Sequence, residues 1–232
     1  NIRRWEPLYP PIQSNGENEP ELCLNSETPP EPDLLPDSFS EEIREEDGPI
    51  YIQHKGRFIV TTLRSGLLLV DMHRAHIRIL YEQYLTQLAK QTGTSQGLLF
   101  PEIVQFSPSE CVLIEQSVSD LQAIGFSLSN LGGGSYSIEG VPAGTDGLLP
   151  MVMLHNILDE LQTGSGEVKT SQHAKIALSL ARLAAIPVGQ LLSQKEMDDL
   201  VGRLLALPTP NYTPDGKPVL KLFTENEIEK LF

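Results

Sequence analysis

An α+β fold is predicted, and three observations predict it. Two or three β-rich runs open the ordered part of the chain at 49–71. Helical periods and glycine-punctuated hairpins then mix without a regular strand–helix–strand repeat. Residues 107–168 carry two helices and a hairpin of their own, as an insertion would.

The elements follow in order. Residues 1–48 are predicted to be disordered, because a Pro-rich acidic stretch without hydrophobic period buries too little apolar surface to offset its ordering entropy. Within it, "RRWEPLYPP" brings Trp5, Leu8 and Tyr9 together, as linker aromatics or a short docking motif. The rest is an extended tether, which implies a further domain upstream. "PIYIQHKGRFIVTTLRSGLLLVD" reads as strands with turns at Gly56 and Gly66. "RAHIRILYEQYLTQLAKQ" has helical spacing. "GLLFPEIVQF", at 97–106, is a strand whose Pro101 places it at a sheet edge or ends it there. "SPSE" at 107–110 is a capping box with proline at the first helical position, and Gly125 can close the helix it opens. "FSLSNLGGGSYSIEGVP" is a hairpin. Its glycine run leads into no helix, so a plain turn is preferred over a phosphate cradle. "DGLLPMVMLHNILDELQ" is a helix, "TGSGEVKT" at 163–170 a flexible loop, and "SQHAKIALSLARLAAI" an apolar core helix. "SQKE" at 193–196 caps another helix, a proline-rich loop enters a strand at "VLKLF", and "TENE" at 224–227 caps a short final helix.

Charge and composition narrow the function. The chain of 232 residues has a formal net charge of −14. Residues 1–48 hold three Arg against thirteen Asp and Glu, a net −10, so the other 184 residues carry only −4. No Lys/Arg run is present, which argues against strong autonomous DNA binding. The two cysteines, Cys23 and Cys111, make neither a disulfide framework nor a zinc spacing, and fit a reducing cytoplasm. No apolar run approaches the ~20 residues of a membrane span, so no membrane partner is expected.

The stretch "LLLVDMHRAHIRILYE", 67–82, carries the candidate chemistry. Asp71 and His73 stand where a strand should end and a helix begin, and Glu82 follows two and a half turns later. Asp, His and Glu suit a divalent metal. His76 lies on a different face. A structural reading competes: Asp71 caps the helix, His73 bonds locally and Glu82 is solvated. His54, His155 and His173 are scattered, and no Ser-His-Asp set, P-loop or dinucleotide fingerprint is present.

Several motifs in register resemble the C-terminal domain of the MutL family of DNA mismatch-repair proteins. "GLLLVDMHRAHIRILYE" is similar to the family's D-Q-H-A-x-x-E-x-x-x-x-E segment. "QGLLFP", 96–101, is similar to its Q-x-x-L/I-x-P segment, which docks on the replication sliding clamp. "ARLAAIPVGQLLSQKEM" is similar to the helix that begins A-C-R/K in nuclease-active members, and "NYTPDGKP" to the closing C-P-H-G-R-P loop. The resemblance covers about 49–232, and the acidic start matches a MutL-type linker.

That resemblance implies a dimerisation subdomain from 49–106 and 169–232, and a smaller external, regulatory subdomain from 107–168. It implies a homodimer, with "IVTTL", "LLLV" and "VLKLF" near its apolar face. It implies clamp docking through Gln96, Leu98, Leu99 and Pro101, although Leu98 and Leu99 can equally face a strand's core. In the full-length protein it implies ATP and Mg in an upstream ATPase domain, contacts with the mismatch-recognition protein MutS and with DNA, and a cytoplasmic, nucleoid-associated location. The motif departures imply a vestigial nuclease site. Asp71, His73 and Glu82 match, but Ile77 replaces the first Glu, Arg182 the A-C-R/K cysteine, and Thr213 and Asp215 the last loop's Cys and His. No catalytic residue, metal or cofactor is then expected in this fragment. Asp71, His73 and Asp215 are the remaining candidates for a hard ion. The alternatives are a metal-dependent DNA-nicking domain with a rearranged ligand set, and a module that only docks partners.

Overall fold

In the computed structural model, residues 49–163 and 171–232 are described. The tether assigned to 1–48, including Trp5, Leu8 and Tyr9, lies outside them, as does nearly all of the loop assigned to 163–170.

Three short strands form an antiparallel meander: β1 (Tyr51–His54), β2 (Phe58–Leu63) and β3 (Gly66–Asp71). β7 (Leu220–Thr224), near the end of the chain, pairs antiparallel with β3 and completes a four-stranded sheet of order β1-β2-β3-β7. Gly66 makes the tight β2–β3 turn at φ +135°, and a Cβ there would run into the Phe223 carbonyl on β7. Strand alternation sorts the side chains. Tyr51, Thr61, Leu68 and Leu222 share one cross-strand row, and Ile52, Val60, Leu69 and Lys221 the next, which points to the opposite face.

The first row faces inward. It packs under α1 (Met72–Lys90) and α5 (Gln194–Leu205), in a core that joins Ile59, Leu68 and Val70 to Met72, Ala75, Ile79, Leu200 and Leu204. Each fully buried aliphatic of this kind contributes about 1.5–3 kcal/mol.

A second antiparallel sheet has the order β4-β6-β5, from β4 (Ser95–Gln105), β5 (Ser127–Gly132) and β6 (Ser135–Pro142). β4 lies at its edge, as Pro101 predicts. Its pairing with β6 breaks between Gly97 and Glu102, so Leu98–Pro101 stand outside the ladder. α2 (Pro108–Ile124), α3 (Pro150–Thr163) and α4 (Gln172–Ala184) build a second core with this sheet, around Ile114, Leu121, Ile138, Leu154, Ile157 and Leu180. α1 serves both cores: Ala75 and Ile79 face the first, Ile77, Tyr84 and Leu88 the second.

The local signals are realised. Ser107 and Glu110 make a reciprocal capping box, as do Ser193 with Glu196 and Thr224 with Glu227; the last opens the five-residue α6 (Glu225–Glu229). The mixed α+β class holds, with both sheets antiparallel. The second sheet draws β4 from 49–106 and β5 and β6 from 107–168. Among the described residues, no helix is long and apolar enough to cross a membrane.

Candidate functional site

Asp71 ends β3 and caps α1, its Oδ1 accepting the Arg74 backbone amide at 3.1 Å. The capping geometry points its other oxygen outward, where Arg57 meets Oδ2 at 3.2 Å and Arg74 at 3.5 Å. The carboxylate is 7 % exposed and saturated by two guanidinium groups. In the first and second turns of α1, His73 and Ile77 face the same space.

Other segments complete the wall. Arg182 comes from the last turn of α4, Val188 from the loop after it, and Thr213, Asp215 and Lys217 from the loop before β7. Together they enclose a cavity of about 400 Å³. The loop after α4 is fixed where Gly56 lies against Gly189: the Gly189 amide donates to the Gly56 carbonyl at 2.8 Å, and a Cβ on Gly56 would stand 2.7 Å from the Gly189 Cα. Buried Thr213 ties off its own loop, exchanging hydrogen bonds with the Lys217 backbone at 2.8 to 3.2 Å.

Charge is arranged in two triplets. Asp71 lies between Arg57 and Arg74, and Asp215 between Lys217 at 2.9 Å and Arg182 at 3.4 Å. Partial burial pushes the Asp215 carboxyl up, but hydrogen bonds from Thr213 and Lys217, helped by the Lys217 charge, outweigh it and hold it at about 2. The cavity wall therefore carries four cations against two carboxylates. Arg182 also reaches Glu160 at 3.4 Å, away from the cavity wall.

His73 donates from Nδ1 to the Ile186 carbonyl at 2.8 Å, a role the carbonyl acceptor dictates. His76 turns elsewhere: its Nδ1 accepts the Ile186 amide at 2.9 Å. Burial, the Arg203 charge and His73 lower its pKa to about 4. Glu82 does not line the cavity. It pairs with Arg78 on the preceding turn, and Arg78 also donates to Thr209 Oγ1 at 2.5 Å.

The sequence candidates thus divide. Asp71, His73 and Asp215 meet in one cavity together with Ile77, Arg182 and Thr213, and Glu82 stays outside. Arg57, Arg74 and Lys217 were missed as site residues. Arg57 and Lys217 sit in turns whose sequence gives no sign of where they converge, and Arg74 reads as an ordinary helix cation.

A divalent cation does not fit this donor set. Each carboxylate is already paired with two cationic side chains, Ile77 offers no donor, and Arg182 would repel a metal. Among the described residues, no three His, Cys, Asp or Glu side chains converge to hold an ion.

A second feature stands on β4. At the break in pairing, Leu99 and Phe100 are 88 % and 81 % exposed, while Leu98 turns inward against the second core. Gln96 donates to Asp146 at 3.2 Å.

Residues 51–192 match the MutL C terminal dimerisation domain. The chain belongs to the MutL family. It is 43% identical, over 98% of its length, to the DNA mismatch repair protein MutL of Phocaeicola vulgatus. It is 50% identical to that of Bacteroides fragilis over 81% of its length, and 33% identical to that of Flavobacterium johnsoniae over 98%. The match covers 38%, 30% and 35% of those three MutL proteins, so the chain spans about a third of the length of the curated relatives it matches.

Proposed function

We propose that this chain is the homodimerising C-terminal domain of a DNA mismatch-repair protein, and that its nuclease pocket has lost its cutting function. The observation that carries the second half is the cavity itself. Every segment that the family resemblance places in a nuclease site converges there, yet the ligand positions hold Ile77, Arg182, Thr213 and Asp215. The domain then couples mismatch recognition to strand removal by other proteins. In the full-length protein it holds two upstream ATPase arms together, which use ATP and Mg and work with MutS and DNA.

Dimerisation is supported by the outer face of the four-stranded sheet. Ile52, Val60 and Leu69 form an apolar run that ends at Lys221, and Leu67 pairs with Phe223 in the next row. Ile52 is 62 % exposed. An antiparallel sheet normally presents polar residues on a solvated face, so an apolar one calls for a cover. A second copy supplies it with self-complementary symmetry. The three-stranded sheet with α2 and α3 serves as the external, regulatory part, with β4 entering it.

Sliding-clamp docking is supported by the β4 break. Clamp recognition seats a short extended peptide in an apolar pocket. Leu99, Phe100 and Pro101 are free of the ladder, with Gln96 leading them. Leu98 acts from below by fixing the backbone against the core.

Three measurements test the reading. Sedimentation of Ile52→Asp/Leu69→Asp should give a monomer where the native chain gives a dimer; a monomeric native chain overturns the dimer. Supercoiled plasmid with manganese should stay intact, and cleavage that disappears in Asp71→Ala restores the nicking alternative. Leu99→Ala/Phe100→Ala should abolish capture by the clamp, and unchanged capture removes that partner.

A further inference from the structure

The cavity is built for the opposite charge to a metal. Arg57, Arg74, Arg182 and Lys217 face it with Asp71 and Asp215 as their only carboxylate partners in the wall, and His73 adds a polar rim. The chain as a whole carries −14, so a wall of four cations and two carboxylates runs against the global balance, even with Glu160 behind Arg182. The pairing also leaves donors unused. Arg57 meets Asp71 through Nε and one terminal nitrogen, and Arg74 gives one terminal nitrogen to the Pro218 carbonyl, so each keeps a further N–H group. Lys217 is 61 % exposed and holds Asp215 with one of three protons. Guanidinium forks of this kind match the geometry of a phosphate.

We propose that the cavity binds a phosphodiester group of a DNA strand, held directly by Arg57, Arg74, Arg182 and Lys217. That the cavity takes an anion rests on its own geometry; that the anion belongs to DNA rests on the repair reading above. Arg182 is the pivotal group. It fills the position that the family resemblance gives to a metal-binding cysteine, and brings a fixed positive charge to the cavity wall. The pocket keeps its hold on the strand backbone while losing the means to cut it. Asp71 and Asp215 keep the four cations in place when the strand is absent. The net charge of −4 over 49–232 keeps the affinity modest, so the contact works when dimerisation or a clamp already holds the domain near DNA.

The test is fluorescence anisotropy with a fluorescein-labelled single strand of about 20 nucleotides, at about 50 mM salt and with EDTA throughout. The native chain should bind. Arg182→Ser/Lys217→Ser should weaken binding by roughly tenfold, and lower the salt slope by about 1.4, the share of two phosphate contacts on a single strand. Lys90→Ser/Lys195→Ser, which removes the same charge from exposed helix positions, should change it by less than about twofold. Asp215→Asn should tighten binding, because it removes the carboxylate that Arg182 and Lys217 share. A metal-bridged contact gives the reverse: EDTA abolishes it and Asp215→Asn weakens it. The proposal is overturned if the native chain does not bind, if EDTA removes binding, if Asp215→Asn weakens it, or if the control pair loses as much as the pocket pair. Sedimentation of the same preparations reads the dimer separately, so a dimer that binds no strand sinks the pocket assignment alone.

Discussion

His76 accepts the backbone amide of Ile186 at 2.9 Å, while His73, one turn earlier on α1, donates to the carbonyl of the same residue at 2.8 Å. Two imidazoles thus satisfy both backbone groups of the residue that leads from α4 into the loop carrying Val188 and Gly189. The pair needs His76 neutral, because its Nδ1 must offer a lone pair.

A pH dependence follows. The unfolded chain protonates His76 near 6.5, the folded chain only near 4. The unfolded state therefore binds more protons between those values, and stability falls as pH drops through that window. The contribution is fully present above about pH 6.5. A shift of this size corresponds to about 3 kcal/mol, discounted to about 2 because the ring keeps some contact with water. Urea unfolding of His76→Gln should show a shallower loss between pH 7 and 4 than the native chain. Parallel pH profiles would rule the role out.

Asp71 should behave as a cap before it behaves as an ion-pair partner. Asn caps helices about as well as Asp, and Arg57 is too exposed for its ion pair to add much. Asp71→Asn should lower stability by about 1 kcal/mol, and Asp71→Ala by about 2–3, since it also removes the cap that the Arg74 amide donates to. Chemical denaturation decides the order. Equal losses in both variants would shift the weight from the cap to the charges.

The caps were legible because they are local. Ser107 and Glu110, Ser193 and Glu196, and Thr224 and Glu227 lie three residues apart, and helix geometry brings each pair together without help from the rest of the chain. β-rich runs punctuated by the turn glycines Gly56 and Gly66 likewise mark "IVTTL" and "LLLV" as sheet. The cavity was legible only through the family motifs. Asp71 and Asp215 are brought to one wall because β7 pairs with β3, a long-range register that no window of residues encodes. Arg57 shows the limit most clearly. Its partner in the turn, Gly56, is readable as a hairpin glycine, but the Asp71 contact exists only once β2 and β3 have paired. Leu98 and Leu99 were readable as either core or docking residues, and at the break in the β4–β6 register Leu98 packs on the core while Leu99 is exposed.

That break separates stability from docking in a measurable way. Leu98→Ala removes packing against the second core and should cost about 1–2 kcal/mol, less than a fully buried leucine. Leu99→Ala and Phe100→Ala alter side chains that are almost wholly solvated, and each should stay within about 0.5 kcal/mol of native. Thermal melts give the first comparison and clamp capture the second. If Leu99→Ala lowers the melting temperature as far as Leu98→Ala, both leucines are structural and the docking reading loses its footing.

The misfit between cavity and metal can be tested by reversing it. Ile77→Glu/Arg182→Cys/Thr213→Cys/Asp215→His returns the family's ligand types to the four positions that lost them, beside Asp71 and His73. Two thiolates and a carboxylate would then face an ion where an alkyl group and a guanidinium stand now, and Nε2 of His73 is free because Nδ1 serves Ile186. Ile77 is only 8 % exposed, so a carboxylate there is costly until a cation meets it, and the metal-free variant should lose several kcal/mol. Zinc at a hundredfold excess over its dissociation constant should recover about 2.7 kcal/mol. The native chain should show no zinc-dependent rise in melting temperature. A rise in the native chain equal to the variant's would mean that Asp71, His73 and Asp215 still hold an ion despite the guanidinium groups around them, and that the cavity still prefers a cation.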